Sequence, residues 1–426
     1  MTGFQAPRGL RDLIGTQAEA HAAIEAAAYA AAESAGYRRI ALPIAEESAL
    51  FERGIGGSSD VIAKELYRIE RRGDEESRLA LRPEGTAGIL RAYIQHGMRS
   101  EPHPVRLVTV GPFFRHDRPQ KGRYRQFSQF DIEAIGDAGP GIDIEVIELG
   151  AAFIRSLGLT DVEVHLNSVG CGTCRPGFAA AVRAHFASVA AELGDVDRTR
   201  LESNPLRLLD SKDPVAARLA ATAPQLPEYL CADCAEHLSG VRAGLDEAKI
   251  RTLSAPRLVR GLDYYARTAW EYLLPGEQGQ QGALGGGGRY DGLAELIGGP
   301  ATPAIGFAIG IDRLALALEE RGIARPGTPG IEIVVCGLDG ADIGRRVAVA
   351  SQLRDAGLRA RADASARKIG RQIEGAARDG AIAVIIVEPD GRLTLRDLES
   401  GNQGEPADAA ATFAAAKRIV AERGAR

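Results

Sequence analysis

The sequence predicts an α+β protein, in which an antiparallel sheet with an inserted helical segment is followed by a small α/β domain. Strand segments paired across short loops recur up to about residue 160 and again after residue 250. Between these regions, Ala- and Leu-rich stretches indicate helices. A Pro- and Gly-rich stretch near residue 326 marks a linker, and beyond it apolar strands alternate with helices, as in a partly parallel sheet.

The composition is that of a folded protein with more than one core. The chain has 426 residues, 45% of them hydrophobic and 26% charged, and a formal net charge of -5. This length predicts two or three domains. The N-terminal stretch lacks a signal-peptide pattern, and the longest nearly uncharged run, Leu296 to Ile311, is too short for a membrane span, so we expect a cytoplasmic protein without a membrane segment. The net charge does not exclude nucleic acid, because phosphate contacts depend on local charge.

The first 160 residues predict helices inserted into a sheet of antiparallel pairs. An Ala-rich helix should run from Thr16, its expected N-cap, to about Ser34, with Gly36 ending it. The segment YRRIALPIAEESALFERG predicts a strand interrupted at Pro43 and then a helix. LYRIERRGDEESRLAL predicts a charged hairpin, and a helix should begin near Pro83. VRLVTVGPFFR and RQFSQFDIEAIG predict two strands around a basic loop.

The rest of the chain predicts a helical insertion, a return to strands and a second domain. Helices dominate from about Asp161 to Ile250. Strand segments return in RLVRGLDYYARTAWEYLL, GALGGGGRYDGL and AIGFAIGIDRLALALEE, and the last passes through Gly310 into a helix. After the linker RGIARPGTPG, the segments IEIVVCGL, LRARAD and AIAVIIV alternate with helices that end near Leu353 and Ala377. The expected domains are a main domain of residues 1–160 and 251–325, an inserted helical subdomain of residues 161–250 and an α/β domain of residues 330–426.

The basic loop RHDRPQKGRYR, residues 115–125, carries five cationic side chains in eleven positions. A solvated hairpin is the usual explanation of a single charge run. However, Arg260 and Arg313 also lie at strand ends or turns beside glycines, where a planar guanidinium suits phosphate oxygens. Three arginine sites together predict a polyphosphate ligand. The P-loop and Rossmann patterns are absent, so the sequence predicts a nucleotide site of another kind.

Several segments resemble a known family. The strand-turn that ends at Pro43, the loop FFRHDRPQKGRYRQF and the segment GFAIGIDRLALAL resemble motifs 1, 2 and 3 of class II aminoacyl-tRNA synthetases. Within that class, LRPEGTAGILR, LVRGLDYYARTAWEY, GGGGRYDGL and NPLRLLDSKD resemble histidyl-tRNA synthetases, and RGLDYY is the most specific of these segments. The resemblance covers nearly the whole chain. It implies a class II catalytic domain and a C-terminal anticodon-binding domain.

The resemblance implies a reaction in two steps. Histidine and ATP, with Mg²⁺ on the outer phosphates, would form histidyl-adenylate, and the histidyl group would then pass to tRNA(His). Attack of a carboxylate on a phosphate brings two anions together, so cations must neutralise the developing charge. By resemblance, Arg115 holds the α-phosphate and the histidine carboxylate, Arg313 holds the γ-phosphate, and Arg260 stabilises the pentacoordinate α-phosphate.

The resemblance also implies which residues bind each partner. Glu84, Thr86 and Gln129 would surround the amino group of histidine, and Glu133 and Tyr265 would contact the imidazole. The implied sets are, for histidine, Glu84, Gly85, Thr86, Arg115, Gln129, Glu133, Arg260, Tyr264, Tyr265 and Tyr290; for ATP, Arg115, Asp117, Arg123 and Arg313; and for tRNA, Gln120, Lys121, Arg125, Lys368 and Arg371. The motif 1 segment around Pro43 implies a homodimer, since this class builds its two-fold interface there.

Three positions depart from the commonest pattern of the family. Asp117 stands where glutamate is usual, Ser128 where histidine is frequent, and Asp131 where a glycine is expected. Asp131 would add a negative charge close to the histidine site. These changes bear on how the acceptor end of tRNA is read.

Two other functions share parts of this pattern. The regulatory subunit of ATP phosphoribosyltransferase resembles the same catalytic core and senses histidine without charging tRNA, but its relatives generally lack the anticodon module and parts of RGLDYY and motif 2. A class II synthetase for serine, threonine or proline would share the three motifs but not the histidine-specific segments. Both the module and the histidine-specific segments are present in this sequence.

Four of the five cysteines form two C-x-x-C pairs, CGTC and CADC. This is the ligand spacing of a structural Cys₄ zinc site, because each two-residue gap lets both thiolates face one tetrahedral ion. The separation of the pairs exceeds that of an ordinary zinc ribbon, and zinc is not a general requirement of the family. Two interpretations therefore stay open, a structural zinc ion or four partly buried thiols, at Cys171, Cys174, Cys231 and Cys234.

Overall fold

The computed structural model describes residues 4–55, 61–70, 78–209, 211, 213–256, 258, 264–277, 282–323, 330–338 and 343–424. The chain forms two compact units, Met1–Arg325 and Pro326–Arg426. Most of the predicted linker RGIARPGTPG lies outside the described residues.

The first unit is built of both helices and strands. Its described helices are α1 (Thr16–Ser34), α2 (Ser48–Ile55), α3 (Thr86–Gln95), α4 (Pro140–Ser156), α5 (Arg175–Ala187), α6 (Asp195–Ser203), α7 (Pro214–Ala220), α8 (Ala232–Glu247), α9 (Leu293–Leu296) and α10 (Ile311–Glu320). Its described strands are β1 (Arg38–Arg39), β2 (Ala45–Glu47), β3 (Leu79–Leu81), β4 (Val105–Phe114), β5 (Gln126–Ile135), β6 (Glu163–Ser168), β7 (Thr252–Ser254), β8 (Ala266–Leu273), β9 (Gly285–Arg289) and β10 (Ala304–Gly310).

Eight of these strands form one sheet, in the order β1-β4-β5-β10-β9-β8-β6-β7. All neighbours from β4 to β6 are antiparallel. The edge strands β1 and β7 add in parallel, and β2 and β3 form a separate antiparallel pair. The predicted α+β class with a largely antiparallel sheet is confirmed.

Strand β5 shows how the sheet separates a core face from a polar face. Phe130, Ile132 and Ala134 point into one hydrophobic cluster together with residues of α1 and α4. Because successive strand residues face opposite sides, Gln129, Asp131 and Glu133 share the other face. The long antiparallel strands β4 and β10 flank β5 on both sides and fix its register. The strand thereby presents three polar side chains in a row.

Two local predictions differ from the structure. The second arm of the predicted hairpin forms strand β3, which pairs with β2. The first arm is not assigned as a strand and contributes a single β-bridge, between Arg68 and Ala80. The residues between these arms lie outside the described residues. The region expected to be helical also contains β6, which lies inside the main sheet between β7 and β8. Its sequence, EVHLNS, alternates polar and apolar residues from Glu163 to Asn167, which is a strand pattern, but the run is short and the helical stretches around it outweighed it.

The second unit is a small α/β fold, as predicted. Its strands follow the order β12-β11-β13-β14, in which β14 is antiparallel to β13 and the other pairs are parallel. Alternate residues of β11 and β13 enter two different hydrophobic clusters, so the sheet is buried on both faces. The described elements are β11 (Ile333–Gly337), α11 (Ile343–Asp355), β12 (Ala360–Ala362), α12 (Ile369–Arg378), β13 (Ala383–Val387), β14 (Leu393–Asp397) and α13 (Ala409–Gly424).

The helices in the described part of the chain do not include one that is both long and apolar enough to cross a lipid bilayer.

Candidate active site

Glu133 lies at the centre of a group of buried polar side chains, called the pocket below, on the face of β5 opposite Phe130, Ile132 and Ala134. Its carboxylate is only 1% exposed. The Thr86 hydroxyl donates to Oε1 at 2.6 Å, and the Tyr290 hydroxyl donates a short hydrogen bond to Oε2. Burial raises the pKa of Glu133 well above its usual range, although these two hydrogen bonds oppose the rise. The contacts bring together residues of β5, the first turn of α3 and the end of β9.

Glu84 supplies a second carboxylate, at the N-terminus of α3. It accepts hydrogen bonds from the backbone N–H groups of Thr86 at 2.7 Å and of Ala87 at 3.1 Å. These are donors that the first turn of a helix cannot satisfy internally. Burial raises the pKa of Glu84, while the two backbone bonds and the nearby Arg115 lower it. Local helix chemistry therefore orients this side chain.

Asp131 is a third carboxylate in the same pocket, and its environment is less favourable. It is 1% exposed, and neither carboxylate oxygen has a hydrogen-bond partner among the described residues. Burial raises its pKa well above the usual range, and the Glu84 charge adds to the rise, while Arg82 and Arg115 oppose it. The side chain packs against Gly85 so closely that a Cβ atom there would collide with Oδ2. Gln129, two residues earlier on β5, also has a buried side-chain oxygen with no partner in the part of the chain that the structure describes.

Three buried tyrosines form the wall opposite β5. The rings of Tyr264 and Tyr265 meet edge to face at 5.0 Å between centroids, and Tyr264 and Tyr290 do so at 5.9 Å. Burial raises the pKa values of Tyr264 and Tyr290 well above the usual tyrosine range, so both hydroxyls stay protonated and can donate. The pocket thus combines buried carboxylate acceptors with hydroxyl donors, which suits a small ligand that carries cationic and imidazole-like groups.

The glycines of β9 and β10 make room for these side chains. A Cβ atom on Gly288 would lie 2.5 Å from Cδ1 of Tyr265. A Cβ atom on Gly306, which pairs with Glu133 across the sheet, would collide with the Glu133 carboxylate and with the Ile132 carbonyl oxygen. The glycine cluster therefore serves close approach of strands and side chains within the sheet.

Arg115 lies at the edge of the pocket, just after β4. Its Nε donates to the Pro83 carbonyl oxygen at 2.8 Å, and its guanidinium carbon lies 5.5 Å from the centroid of the Phe127 ring. Its charge lowers the pKa values of Glu84 and Asp131. The side chain is half-buried. It can therefore reach an anionic group at the mouth of the pocket.

The rest of the basic loop is organised by its own backbone and by two acids. Arg123 Nη1 contacts Asp117 Oδ2 at 3.1 Å, and Arg125 Nε donates to the Asp117 carbonyl oxygen at 3.1 Å. Reciprocal backbone bonds between Gln120 and Arg123 close a tight turn. Lys121, at the exposed tip, pairs with Glu320 of α10 at 2.5 Å. The structure thus draws Asp117 and Arg123 together and leaves Gln120 and Lys121 at the surface.

The other two predicted arginines are Arg313, which the structure describes, and Arg260, which lies outside the described residues. Arg313, in the first turn of α10, donates to the carbonyl oxygen of Ala283 just before β9. The side chain is half-buried and has a further interaction. Arg260 and the rest of its RGLD segment lie outside the described residues, whereas the two tyrosines that follow line the pocket.

The backbone of Ser128 is bonded to Asp312 of α10. The Ser128 N–H donates to Asp312 Oδ2 at 2.8 Å, and Arg11 pairs with Oδ1 of the same carboxylate at 2.5 Å. The Arg11 guanidinium also stacks on the Tyr124 ring at 3.8 Å. The N-terminal segment is therefore tied to the basic loop.

A buried ion pair next to Tyr290 was not predicted from the sequence. Arg289, with 0% exposure, bonds both oxygens of Asp143 on α4, with Nη2 at 2.6 Å from Oδ2. It also donates to the carbonyl oxygens of Asp137 and Gly139. His237 Nε2 on α8 lies 3.1 Å from Asp143 Oδ1. An arginine directly after a glycine run inside a strand is the only local signal of this pair.

The four cysteines of the two C-x-x-C pairs, which are not part of the carboxylate pocket, lie close to one another. All four Sγ atoms are within 4.8 Å of one another. Cys171 and Cys231 are half-buried, and Cys174 and Cys234 are buried.

In the second unit, the two predicted tRNA-binding cations begin one helix. Lys368 is the N-cap residue of α12 and is exposed. Arg371, in the first turn, pairs with Glu374 at 2.8 Å, and both side chains are exposed.

Comparisons with known proteins agree along nearly the whole chain. The family model described as "Histidyl-tRNA synthetase" matches residues 9–174 and 178–314, and that described as "Anticodon binding domain" matches residues 333–414. A "Histidine--tRNA ligase" of Desulforudis audaxviator is 43% identical over 401 residues, 93% of this chain and 94% of the relative. One of Moorella thermoacetica is 42% identical over 404 residues, 94% of this chain and 95% of the relative. The crystal structure of apo S. aureus histidyl-tRNA synthetase has a TM-score of 0.80 at 32% identity and covers 97% of this chain and 100% of its own.

Proposed function

Since the chain belongs to the histidyl-tRNA synthetase family, we propose that it is a histidine–tRNA ligase, which activates L-histidine with ATP and transfers it to tRNA(His). The observation that carries the proposal is the pocket on β5, where Glu84 and Glu133 are buried beside three tyrosines. Buried carboxylates are costly unless a partner compensates their charge. The ammonium and imidazole groups of histidine would supply that compensation.

The proposed contacts to histidine follow from the hydrogen-bonding capacity of the pocket. Glu84, Thr86 and Gln129 accept from the ammonium group, and Gly85 leaves space beside them. Glu133 and Tyr265 bond the two imidazole nitrogens, each of which needs its own polar partner. Tyr264 and Tyr290 line the pocket, and the Tyr290 hydroxyl holds Glu133 in place.

The proposed activation step transfers the adenylyl group of ATP. The substrate is MgATP. A carboxylate oxygen of histidine attacks the α-phosphorus, the bond from that phosphorus to the oxygen that bridges to the β-phosphorus breaks, and pyrophosphate leaves. Arg115 neutralises charge on the α-phosphate and on the attacking carboxylate, and Arg313 holds the γ-phosphate. Arg260 acts on the pentacoordinate phosphorus by the family pattern. Asp117 and Arg123 complete the proposed ATP set.

In the proposed second step, a terminal ribose hydroxyl of tRNA(His) attacks the carbonyl carbon of histidyl-adenylate and AMP leaves. Gln120, Lys121 and Arg125 lie on the loop that would face the acceptor end. Lys368 and Arg371 at the start of α12 would contact phosphates of the anticodon stem-loop, because exposed cations at a helix N-terminus lie beside free backbone N–H donors. The match of an anticodon-binding domain supports this part of the proposal.

The proposal includes a cytoplasmic homodimer. Pro43 lines an open groove with the half-buried apolar residues Ile40, Leu42 and Leu50, which suits a two-fold contact between identical subunits. Sedimentation at micromolar concentration should give twice the chain mass, and a stable active monomer would contradict the dimer.

A structural Zn²⁺ at the four cysteines would take no part in the phosphate chemistry, since arginines and Mg²⁺ already supply the cations.

The regulatory alternative is not favoured. The chain matches the model of an anticodon-binding domain, a module that the regulatory subunits generally lack, and the relatives at 42% and 43% identity are ligases by name.

The test is ATP–pyrophosphate exchange with the purified chain and each of the twenty amino acids. We expect exchange with histidine alone, and charging of tRNA(His) in the presence of ATP. Arg260→Ala should remove most of the exchange, since loss of such a transition-state contact costs ~3–4 kcal/mol. Histidine binding without exchange would instead support the regulatory alternative, and exchange with another amino acid would reject the assigned substrate.

A further inference from the structure

The cysteine cluster is the feature of the first unit that the proposed reaction does not use. It consists of Cys171 and Cys174, which follow β6, and Cys231 and Cys234, which begin α8. The two pairs are 57 residues apart between Cys174 and Cys231. Thiols so far apart in sequence meet only because the helical segment between them folds back on itself.

The spacing of the sulfur atoms matches the edges of a tetrahedron around one metal ion. The Sγ atoms of Cys171 lie 3.5 Å from Cys174 and 3.8 Å from Cys231, and those of Cys174 and Cys231 are 3.6 Å apart. Four sulfurs at a Zn–S distance of ~2.3 Å would be about 3.8 Å from one another. A disulfide would instead bring one pair to ~2.05 Å. These three distances suit three ligands of a single ion, and the Sγ atom of Cys234 lies within 4.8 Å of the other three.

Two helix starts and several backbone N–H donors surround the cluster. Cys174 is the N-cap residue of α5 and Cys231 that of α8, so the starts of two helices lie at the cluster. Backbone N–H groups also donate to sulfur, from Thr173 to Cys171 at 3.3 Å and from Cys231 to Cys174 at 3.5 Å. Donors of this kind orient and stabilise the ligands of a metal site.

We propose that Cys171, Cys174, Cys231 and Cys234 bind one structural Zn²⁺ ion, and that this ion clamps the start of α5 to the start of α8. On binding, the four thiols release their protons to solvent and each sulfur forms one bond to the metal. All four positions of a tetrahedral ion are then filled by protein, which is the arrangement of a structural site.

The segment between the two pairs needs such a clamp. Its helices α5, α6 and α7 have 13, 9 and 7 residues, and helices of this length are marginal in isolation. The ion closes a long loop and so reduces the conformational freedom of the unfolded segment. It also fixes the first turn of α8, the helix whose His237 reaches the Asp143–Arg289 pair.

The first test is the metal content of the full chain purified without chelator. We expect about one equivalent of zinc per chain. Replacement by Co²⁺ should give the intense thiolate charge-transfer absorption of a tetrahedral sulfur site. Less than about a tenth of an equivalent of zinc, with none taken up on addition of Zn²⁺, would overturn the proposal, as would iron in its place.

The second test uses single variants with a matched control. Cys171→Ser and Cys234→Ser should lose zinc, lower the melting temperature and speed hydrogen exchange in residues 175–229, while exchange in β10 stays as in the wild type. Cys336→Ser changes the buried cysteine of the second unit and should keep the zinc. Variants that retain zinc and wild-type exchange would overturn the site. Metal content is measured without catalysis, so either proposal can fail while the other stands.

Discussion

At the scale of single residues, the pocket depends on carboxylates whose charge the fold itself does not balance. Glu133 has two hydroxyl donors, Glu84 has two backbone donors, and Asp131 has none among the described residues. All three pKa values are raised, with burial as the first cause. The same cause makes the pocket receptive to a cationic ligand, which removes the unfavourable burial of charge.

Glu133→Gln should weaken histidine binding without unfolding the chain. The amide is uncharged, and its NH₂ group cannot accept from Thr86 or Tyr290. Loss of a charge-assisted hydrogen bond costs about 1.5–3 kcal/mol, so the KM for histidine should rise roughly 10- to 150-fold in ATP–pyrophosphate exchange. Glu332→Gln is the control, because Glu332 is also a buried carboxylate and lies in the second unit. An unchanged KM for Glu133→Gln would reject its role in the pocket.

Asp131→Asn should stabilise the protein, and the gain should depend on pH. The folded-state pKa of Asp131 is raised, so between about pH 4 and that raised value the native state keeps a proton that the unfolded chain has lost. Native stability from this group is therefore greatest below about pH 4 and falls as the pH rises. Asparagine does not ionise and so removes this loss of stability. The melting temperature of the variant should therefore exceed that of the wild type at neutral pH and approach the wild-type value in acid.

Asp363→Asn provides a control of opposite sign. The Asp363 carboxyl has a lowered pKa: burial raises it, but bonds to Ser365 and the Arg367 charge outweigh burial. Its contribution is present at neutral pH and is lost as the pH falls through the folded-state value. This variant should therefore be less stable than the wild type at neutral pH, as followed by calorimetry. The same pH trend in both variants would contradict the assigned directions.

At the scale of elements, the buried Asp143–Arg289 pair joins α4 to the end of β9. Arg289 precedes Tyr290, whose hydroxyl bonds Glu133, so the position of the strand end sets the position of that tyrosine. The guanidinium makes its bonds to Asp143 and to two backbone carbonyls, which compensates the burial of its charge. The arginine of the glycine-rich segment therefore has a positioning role and does not face a phosphate.

Asp143→Asn should be strongly destabilising. Removing one partner of a buried pair leaves an uncompensated charge and costs about 3–5 kcal/mol. The matched control is Asp161→Asn, which breaks the exposed contact between Asp161 and Arg321 at 2.6 Å. Exposed pairs contribute about 0–1 kcal/mol, so the control should unfold in urea near the wild-type midpoint. Equal effects of the two variants would show that the buried pair adds nothing to stability.

At the scale of the whole molecule, the two units carry separable parts of the proposed reaction. The carboxylate pocket and the basic loop belong to the first unit, and Lys368 and Arg371 belong to the second. Each unit has its own hydrophobic core. Adenylate formation should therefore depend on the first unit alone, whereas charging of tRNA should need both.

The double variant Lys368→Glu with Arg371→Glu should impair charging but not activation. Lost phosphate contacts weaken tRNA binding. Each lost contact also reduces the slope of the logarithm of the binding constant against the logarithm of the salt concentration by about one unit. We expect a higher KM for tRNA(His) and an unchanged rate of ATP–pyrophosphate exchange. Arg378→Glu, at the opposite end of α12, is the control and should leave both unchanged. Equal loss of both activities in the double variant would argue against tRNA contact.

The amino-acid sequence by itself determined the fold class, the family and the chemistry of the candidate residues. These follow from short-range patterns: the period of two in RQFSQFDIEAIG, the five cations of the basic loop, and the two-residue gap within each cysteine pair. Alternation alone puts Gln129, Asp131 and Glu133 on one face of β5. Backbone geometry fixes relations of this kind within a few residues, whatever the rest of the chain does.

Only the tertiary structure decided which of these groups meet and with what charge. Thr86 and Tyr290 reach Glu133 across 47 and 157 residues, and Asp143 reaches Arg289 across 146. Sheet order and register bring such residues together, and they depend on the packing of the whole unit. The same packing buries Asp131 and brings the Sγ atoms of two distant cysteine pairs to within 4.8 Å of one another. Burial and long-range contact are collective properties of the fold, which is why local patterns did not reveal them.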